Sequence, residues 1–388
     1  MNQWRPQQYL SQGKSHDVDP EVLDNACRIG TRIIQANPNV TPVFTLKNLA
    51  HHTGVDYGYL RSIVSRSGTK HSYRTFKIHK RPDGRGNRQY RVISVPSPKL
   101  KNAQTWITTN ILNHVQPHHS STAFAPQSKI IESASMHCGC KWLVKIDIKN
   151  FFESISEISV YKVFLRLGYE PLISFELARL CTKLSKKTRS WESFSKRWHT
   201  HYVREKIPAY FNYRVGYLPQ GAPSSPMLSN LVMLDLDSKL SKLASDRNLT
   251  YTRYADDFAL SSIDPNLDRG VCKDIIKTVY KLLLEYGFSP NTAKTKICTP
   301  GSRKIILGLL VNGKEPRLPR SFKENLRQHF YYLTHHKHGP SQHARARNFD
   351  TVFGLRNHVV GLVSYACQIE PAYGDHFKKQ LLKIDWPL

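Results

Sequence analysis

The chain has 388 residues, 40% hydrophobic and 22% charged, an ordinary composition for a folded soluble protein and enough for two or three subdomains. Its 57 Lys and Arg against 29 Asp and Glu give a net charge of +28, an excess that favours a polyanionic partner through counterion release from phosphates. An anionic membrane would attract the same charge, but there is no apolar run of roughly 18 residues and MNQWRPQQYL lacks a signal peptide's apolar core, so nucleic acid, no membrane and a cytoplasmic location are expected.

Seven scattered cysteines, with Cys138 and Cys140 the only close pair, read as reduced thiols rather than a zinc site or a disulfide framework. Residues 18–36 (VDPEVLDNACRIGTRIIQA) carry helical periodicity behind an Asp-Pro start. Residues 45–64 (TLKNLAHHTGVDYGYLRSIV) read as two helices around a short turn at Thr53-Gly54-Val55. Such a helix-turn-helix can read DNA or cap its neighbours, and the packed cap is the preferred reading. From Tyr73 to Val95, "YRTFKIHK" and "RQYRVISV" flank the Gly-rich "RPDGRGN", which predicts a β-hairpin. Its tip carries Lys80, Arg81, Arg85, Arg88 and Arg91. Five cations around one turn suit a triphosphate; a solvated edge that resists aggregation gives the same pattern.

Residues 99–115 predict an amphipathic helix, and "KWLVKIDIKNFFESI" (141–155) begins as a buried strand and ends in an aromatic pair. Apolar helical text runs from Val160 to Cys181. Residues 182–206 then interleave Lys186, Lys187, Arg189 and Arg197 with Trp191, Phe194, Trp198 and Tyr202. Rings that stack on bases and cations that track a backbone suit single-stranded nucleic acid, and an amphipathic surface helix has the same composition; both readings stand. Residues 217–240 form a Gly/Pro loop entering a long helix near Ser224 or Ser225. A hairpin around 251–262, a helix over 270–286, a strand in "RKIILGLLVN" and a mainly helical, basic stretch from 321 to 388 complete an α+β chain without internal repeats.

The hairpin "YTRYADDFALSS" sets Asp256 beside Asp257 between apolar residues. Neighbouring strand residues point to opposite faces, so the pair marks either a turn or a metal site at its tip. Asp147, ending the strand in "KIDIKNFF", reads alone as a helix N-cap. Together the three aspartates could hold two Mg²⁺ ions roughly 3.5–4 Å apart for in-line phosphoryl transfer. The same carboxylates accept Mn²⁺.

The order of basic hairpin, "IDIKNFF", "LPQGAPSSP", "YADD", "NTAKTK" and "ILGLLVN" resembles that of a reverse transcriptase over about Tyr73 to Trp386. The resemblance implies a right-hand polymerase with a small helical N-terminal extension (1–70), fingers (71–140), an antiparallel palm with finger elements and a basic insertion at about 182–210 (141–315), and a helical thumb (316–388). It implies that Asp147, Asp256, Asp257 and the Ile148 carbonyl are metal ligands. Phe152 matches the aromatic gate against a ribose 2′-hydroxyl, so dNTPs and a DNA product are expected. Gln220 and Gly221 match the loop touching the nucleotide and template, and Lys80 and Arg91 the triphosphate-binding cations. Lys294 resembles the lysine that protonates pyrophosphate, and Leu307 to Leu309, with Gly308, sit where the primer grip would be.

Nothing after the thumb-like region reads as an RNase H, integrase, maturase or endonuclease domain, and "QGAPSSP" looks like retron and defence-associated enzymes. Two departures stand out. Where retron enzymes show Asn-Ala-x-x-His, the text is Ser133-Ala134-Ser135-Met136-His137; where they show Val-Thr-Gly, it is Ile306-Leu307-Gly308. The preferred expectation is a defence-type reverse transcriptase copying a structured noncoding RNA, with an RNA–DNA hybrid, and an effector or second defence protein, as partners. A retron enzyme making branched RNA–DNA is the alternative, as is a protein-primed or template-independent polymerase; an RNA-binding pseudoenzyme is disfavoured by the intact aspartates. The insertion's Lys186, Lys187, Arg189, Trp191, Arg197 and Trp198 are its candidate RNA contacts.

Overall fold

The structure, a computed structural model, describes residues 4–67, 72–79, 90–184, 215–335 and 338–387. The chain begins with α1 (Pro6–Ser15) and α2 (Pro20–Ala36), the latter started by the Asp19 carboxylate, which accepts from the Glu21 amide ahead of Pro20. α3 (Leu46–Thr53) and α4 (Tyr57–Val64) are capped by Thr45 and Asp56 and separated by Gly54 in the left-handed region. β1 (Tyr73–His79) and β2 (Tyr90–Pro96) pair antiparallel, as the alternation predicts. Lys80, Arg81, Arg85 and Arg88 lie outside the described residues, while Arg91 stands exposed on β2 opposite Ile78.

Next come α5 (Pro98–Asn110), α6 (Ile130–Ser135), β3 (Trp142–Asp147), α7 (Phe151–Ser154), α8 (Glu157–Arg166) and α9 (Pro171–Cys181). The helical text from Val160 to Cys181 is divided between two helices, because Gly168 at φ 90° turns the chain so that α8 and α9 pack on each other. α3 lies against α5 and α4 against α9, with Leu49, Leu60 and Ile63 buried in the main core. That burial supports the packed-cap reading of the helix-turn-helix.

The candidate RNA contacts Lys186, Lys187, Arg189, Trp191, Arg197 and Trp198 lie outside the described residues. The two flanks of that segment meet, Lys183 and Tyr217 exchanging backbone hydrogen bonds of 3.0 Å in both directions. α10 (Ser225–Val232) starts where expected but breaks at Met233 into α11 (Leu234–Ser245). β4 (Thr250–Tyr254), β5 (Asp257–Ser262), α12 (Arg269–Glu285) and β6 (Lys296–Cys298) follow. The strand expected at 303–312 is instead a tight hairpin of β7 (Ile305–Ile306) and β8 (Leu309–Leu310). Leu307 (φ 49°) and Gly308 (φ 86°) both take positive φ, the geometry of a two-residue primed turn. α13 (Arg320–Thr334), α14 (Gly339–Ala346), α15 (Val352–Ile369) and α16 (Pro371–Leu381) close the chain.

The central sheet is antiparallel, in the order β4–β5–β3–β6. Strand alternation divides its side chains between two clusters. Val144, Ile146, Phe258 and Leu260 face the main core with α8 to α12, whereas Leu143 and Ala259 face the cluster built by α13 to α16. No helix among the described residues is long and apolar enough to cross a membrane.

Candidate active site

Register decides where the three aspartates meet. Asp147, the last residue of β3, is the direct partner of Asp257, the first residue of β5. Facing residues in an antiparallel pair project to the same side, so the two carboxylates share one face of the sheet, that of Leu143 and Ala259. Asp256 occupies the turn between β4 and β5 as predicted, after Ala255 at φ 55°, and its carbonyl accepts from the Ile148 amide at 3.1 Å. The hairpin tip is thereby stitched to the end of β3.

A fully buried ion pair holds the tip from the main-core side. Arg253 donates to both Asp237 oxygens at 2.8 and 2.6 Å, to Asn230 Oδ1 at 3.2 Å and to the Ala255 carbonyl at 3.1 Å. The guanidinium thus stabilises the positive-φ residue just before Asp256 and ties it to α10 and α11. From the N-terminus of α10, the Ser225 hydroxyl donates to the Pro219 carbonyl at 2.6 Å, fixing the loop that carries Gln220 and Gly221. Gln220 also accepts from the Ser94 amide at 2.7 Å, docking the loop along β2. Gly221, at φ 106°, approaches Ile93 so closely that an added Cβ would stand 2.8 Å from its side chain.

Asp147 is buried, and both its oxygens are engaged: Asn291 Nδ2 donates to one and Lys294 Nζ to the other, each at 2.8 Å. Backbone bonds from Lys149 to Ser289 (2.9 Å) and from Asn291 to the Asp147 carbonyl (2.7 Å) align the two segments. Burial and the neighbouring Asp147 charge raise the Asp256 carboxyl above its ordinary range; burial likewise raises Asp257, against the opposing pull of Lys145. For Lys294 burial pulls downward, but the hydrogen bond and charge of Asp147 win and its ammonium titrates above the ordinary lysine value. Among the described residues no three His, Cys, Asp or Glu side chains converge as ligands of a single ion. The donor set at the sheet end nevertheless fits a hard cation: oxygen donors only, with two half-buried carboxylates whose ionisation is opposed by burial and a third negative charge.

The αL residue Asn150 (φ 48°) turns the chain from Asp147 into α7, where Phe151 is buried and Phe152 half-buried. Phe152 packs near Phe124, 6.2 Å between ring centroids, and Phe124 lies equally far from Tyr254. An aromatic cluster therefore borders the carboxylates. Leu307 packs on the C-terminal cluster. Sequence reasoning passed over Asn291, Phe124 and the Arg253–Asp237 pair. Asn291 lies three residues before Lys294 in the quoted "NTAKTK" and could have been found there; the others become neighbours only through the fold.

The pattern of the reverse transcriptase (RNA-dependent DNA polymerase) family matches residues 78–337. The retron Ec86 reverse transcriptase of Escherichia coli is 27% identical over 333 residues, covering 85% of this chain and 90% of that protein. The retron Mx162 reverse transcriptase of Myxococcus xanthus is 29% identical over 306 residues, 76% of this chain and 58% of its own. The retron Mx65 reverse transcriptase of the same organism is 28% identical over 342 residues, covering 87% and 71%.

Proposed function

The chain belongs to the reverse transcriptase family and is an RNA-directed DNA polymerase of the retron type, and from that premise we propose that Asp147, Asp256 and Asp257 are its catalytic metal ligands and that its template is a structured noncoding RNA. The observation that carries the site assignment is the pairing of Asp147 with Asp257 at one sheet end, stitched to Asp256 through the Ile148 amide. In this reading residues 1–70 are a helical extension, 71–140 the fingers, 141–315 the palm with the insertion at about 182–210, and 316–388 the thumb.

The three carboxylates and the Ile148 carbonyl would hold two Mg²⁺ or Mn²⁺ ions, which supply an activated 3′-oxygen and charge neutralisation on the triphosphate. The chain's own residues do the rest. Arg91 and Lys80 bind the incoming triphosphate, the Gln220–Gly221 backbone orients base and template, and Phe152 fills the space a 2′-hydroxyl would need. The primer 3′-hydroxyl gives up its proton to solvent as its oxygen attacks the α-phosphorus, the bond to the bridging oxygen breaks, and pyrophosphate leaves. Lys294, an ammonium that Asp147 stabilises against the opposing effect of burial, donates the proton to that leaving group. Its side chain is 60% exposed while that of Asp147 is 7% exposed, so the lysine is the partner able to turn away as the carboxylate takes up metal.

The similarity to retron enzymes supports the branched RNA–DNA alternative over the defence-type reading preferred from the sequence; a role in antiphage defence, with an effector as partner, stays a separate proposal. Primer extension on a primed RNA with dNTPs tests the site. Intact protein extends and the Asp256→Ala/Asp257→Ala variant does not; equal extension by both would refute the assignment.

A further inference from the structure

The segment Ser133-Ala134-Ser135-Met136-His137 forms the end of the α6 helix and the turn after it, and carries no role in the chemistry above. His137 is only 1% exposed, so it cannot touch RNA, yet both its ring nitrogens are engaged. Nδ1 lies 2.7 Å from Ser261 Oγ and Nε2 lies 2.7 Å from Thr252 Oγ1. Thr252 belongs to β4 and Ser261 to β5, and the register places both on the face that carries Asp257. The imidazole therefore spans the two arms of the hairpin whose tip is Asp256–Asp257. Burial pushes its pKa down to about 4, so it is the neutral ring, one nitrogen donating and the other accepting.

The same short segment reaches in the opposite direction. Two residues on, the Gly139 amide donates to the Val311 carbonyl at 2.9 Å, just after β8. Ala134 and Cys140 pack in the cluster of Ile306, Leu309 and Val311. A chain of contacts thus runs from the Leu307–Gly308 turn through Val311 and Gly139 to His137, then through two hydroxyls to the arms behind Asp256 and Asp257. Phenylalanine would fill a comparable volume without either hydrogen bond. What histidine adds at this position is orientation.

We propose that His137 is a positioning residue, setting the β4–β5 hairpin against the β7–β8 hairpin so that the carboxylates meet the primer end held by Leu307 and Gly308. The inference rests on the polymerase reading of both hairpins. Extension by the unaltered protein settles that reading separately from the fate of His137.

The test is single-turnover nucleotide addition on a preformed primer–template, with thermal unfolding and primer–template affinity measured alongside. His137→Phe is expected to lower the maximal rate roughly ten- to a hundredfold, the scale of a small misplacement of reacting groups, with half-saturating dNTP shifted less than about twofold. His137→Gln, which keeps a donor and an acceptor, restores most of the rate. Added to Thr252→Val/Ser261→Ala, His137→Phe lowers the rate less than about twofold further, because the bonds it removes are already gone. A normal rate per folded molecule with only a lowered melting temperature would overturn the proposal, as would effects that multiply independently. Should His137→Phe fail to fold, Thr252→Val/Ser261→Ala carries the same expectation, and an unchanged rate in it overturns the proposal equally.

Discussion

Two antiparallel hairpins of this molecule differ in both burial and charge. Along β4–β5, Tyr251, Thr252, Arg253, Phe258, Ala259 and Ser261 are all buried, and the tip holds two aspartates. Along β1–β2, Phe76, Ile78, Tyr90 and Val92 are exposed, and the sequence at the tip is basic. The acidic tip is braced from both faces, by Arg253 on one and His137 on the other. The difference fits the role proposed for each tip. Carboxylates sharing cations must keep fixed separations against their mutual repulsion, which demands rigid arms. Cations meeting a triphosphate from solution act through charge and reach, and need no core beneath them.

Breaking the acidic tip has the largest expected effect. Asp257→Ala should reduce primer extension on the order of a thousandfold, the several kcal/mol of transition-state stabilisation associated with metal ligation, with the fold retained by circular dichroism. The brace comes second. Arg253 and Asp237 are both 0% exposed, so Arg253→Met leaves a buried unpaired carboxylate and should cost about 3–5 kcal/mol in urea unfolding. The double change Arg253→Met/Asp237→Leu should recover much of that loss.

Acid sharpens the contrast next. His137 and His329, each buried, have pKa values pushed down to about 4. An unfolded histidine accepts its proton near pH 6.5, so their neutral burial is harmless above that pH and increasingly destabilising as pH falls toward 4. Glu157 adds in the same direction at still lower pH: burial alone would raise its carboxyl, but Arg66 and Arg179 hold it below the ordinary range, and that stabilisation is lost only as pH falls below the ordinary glutamate value. The free energy of urea unfolding should fall steadily between pH 6.5 and 4, by a few kcal/mol in all, with the melting temperature falling alongside. The smallest effect belongs to the exposed hairpin. Arg91→Ala should raise half-saturating dNTP roughly tenfold, the loss of one charge-assisted contact, with unfolding stability within about 0.5 kcal/mol of the parent.

The sequence was most legible where local chemistry is strict. Asp-Asp between apolar strands, Gly-rich turns and Asp-Pro or Thr caps are short-range signals, and the β4–β5 hairpin, β1–β2 pairing and N-terminal helices follow from them. It was less legible where one residue redirects an apolar run, as Gly168 divides α8 from α9 and Leu307–Gly308 folds the expected strand back on itself. Contacts between distant segments left no local trace. Nothing in residues 130–137 announces that a buried imidazole will bridge Thr252 and Ser261, and Arg253 beside "YADD" reads as one more cation until Asp237 arrives beneath it.

In the proposed function the braced acidic tip makes DNA on an RNA that this protein holds. The most direct test is to express the protein with its neighbouring noncoding DNA and sequence every nucleic acid that copurifies, beside the Asp256→Ala/Asp257→Ala variant. A defined DNA, complementary to a copurifying RNA, is expected only with the intact aspartates; a branched RNA linkage on it would identify the retron product. The same DNA in both samples, or bound RNA with no synthesis by the intact protein even on added primed templates, would contradict that function.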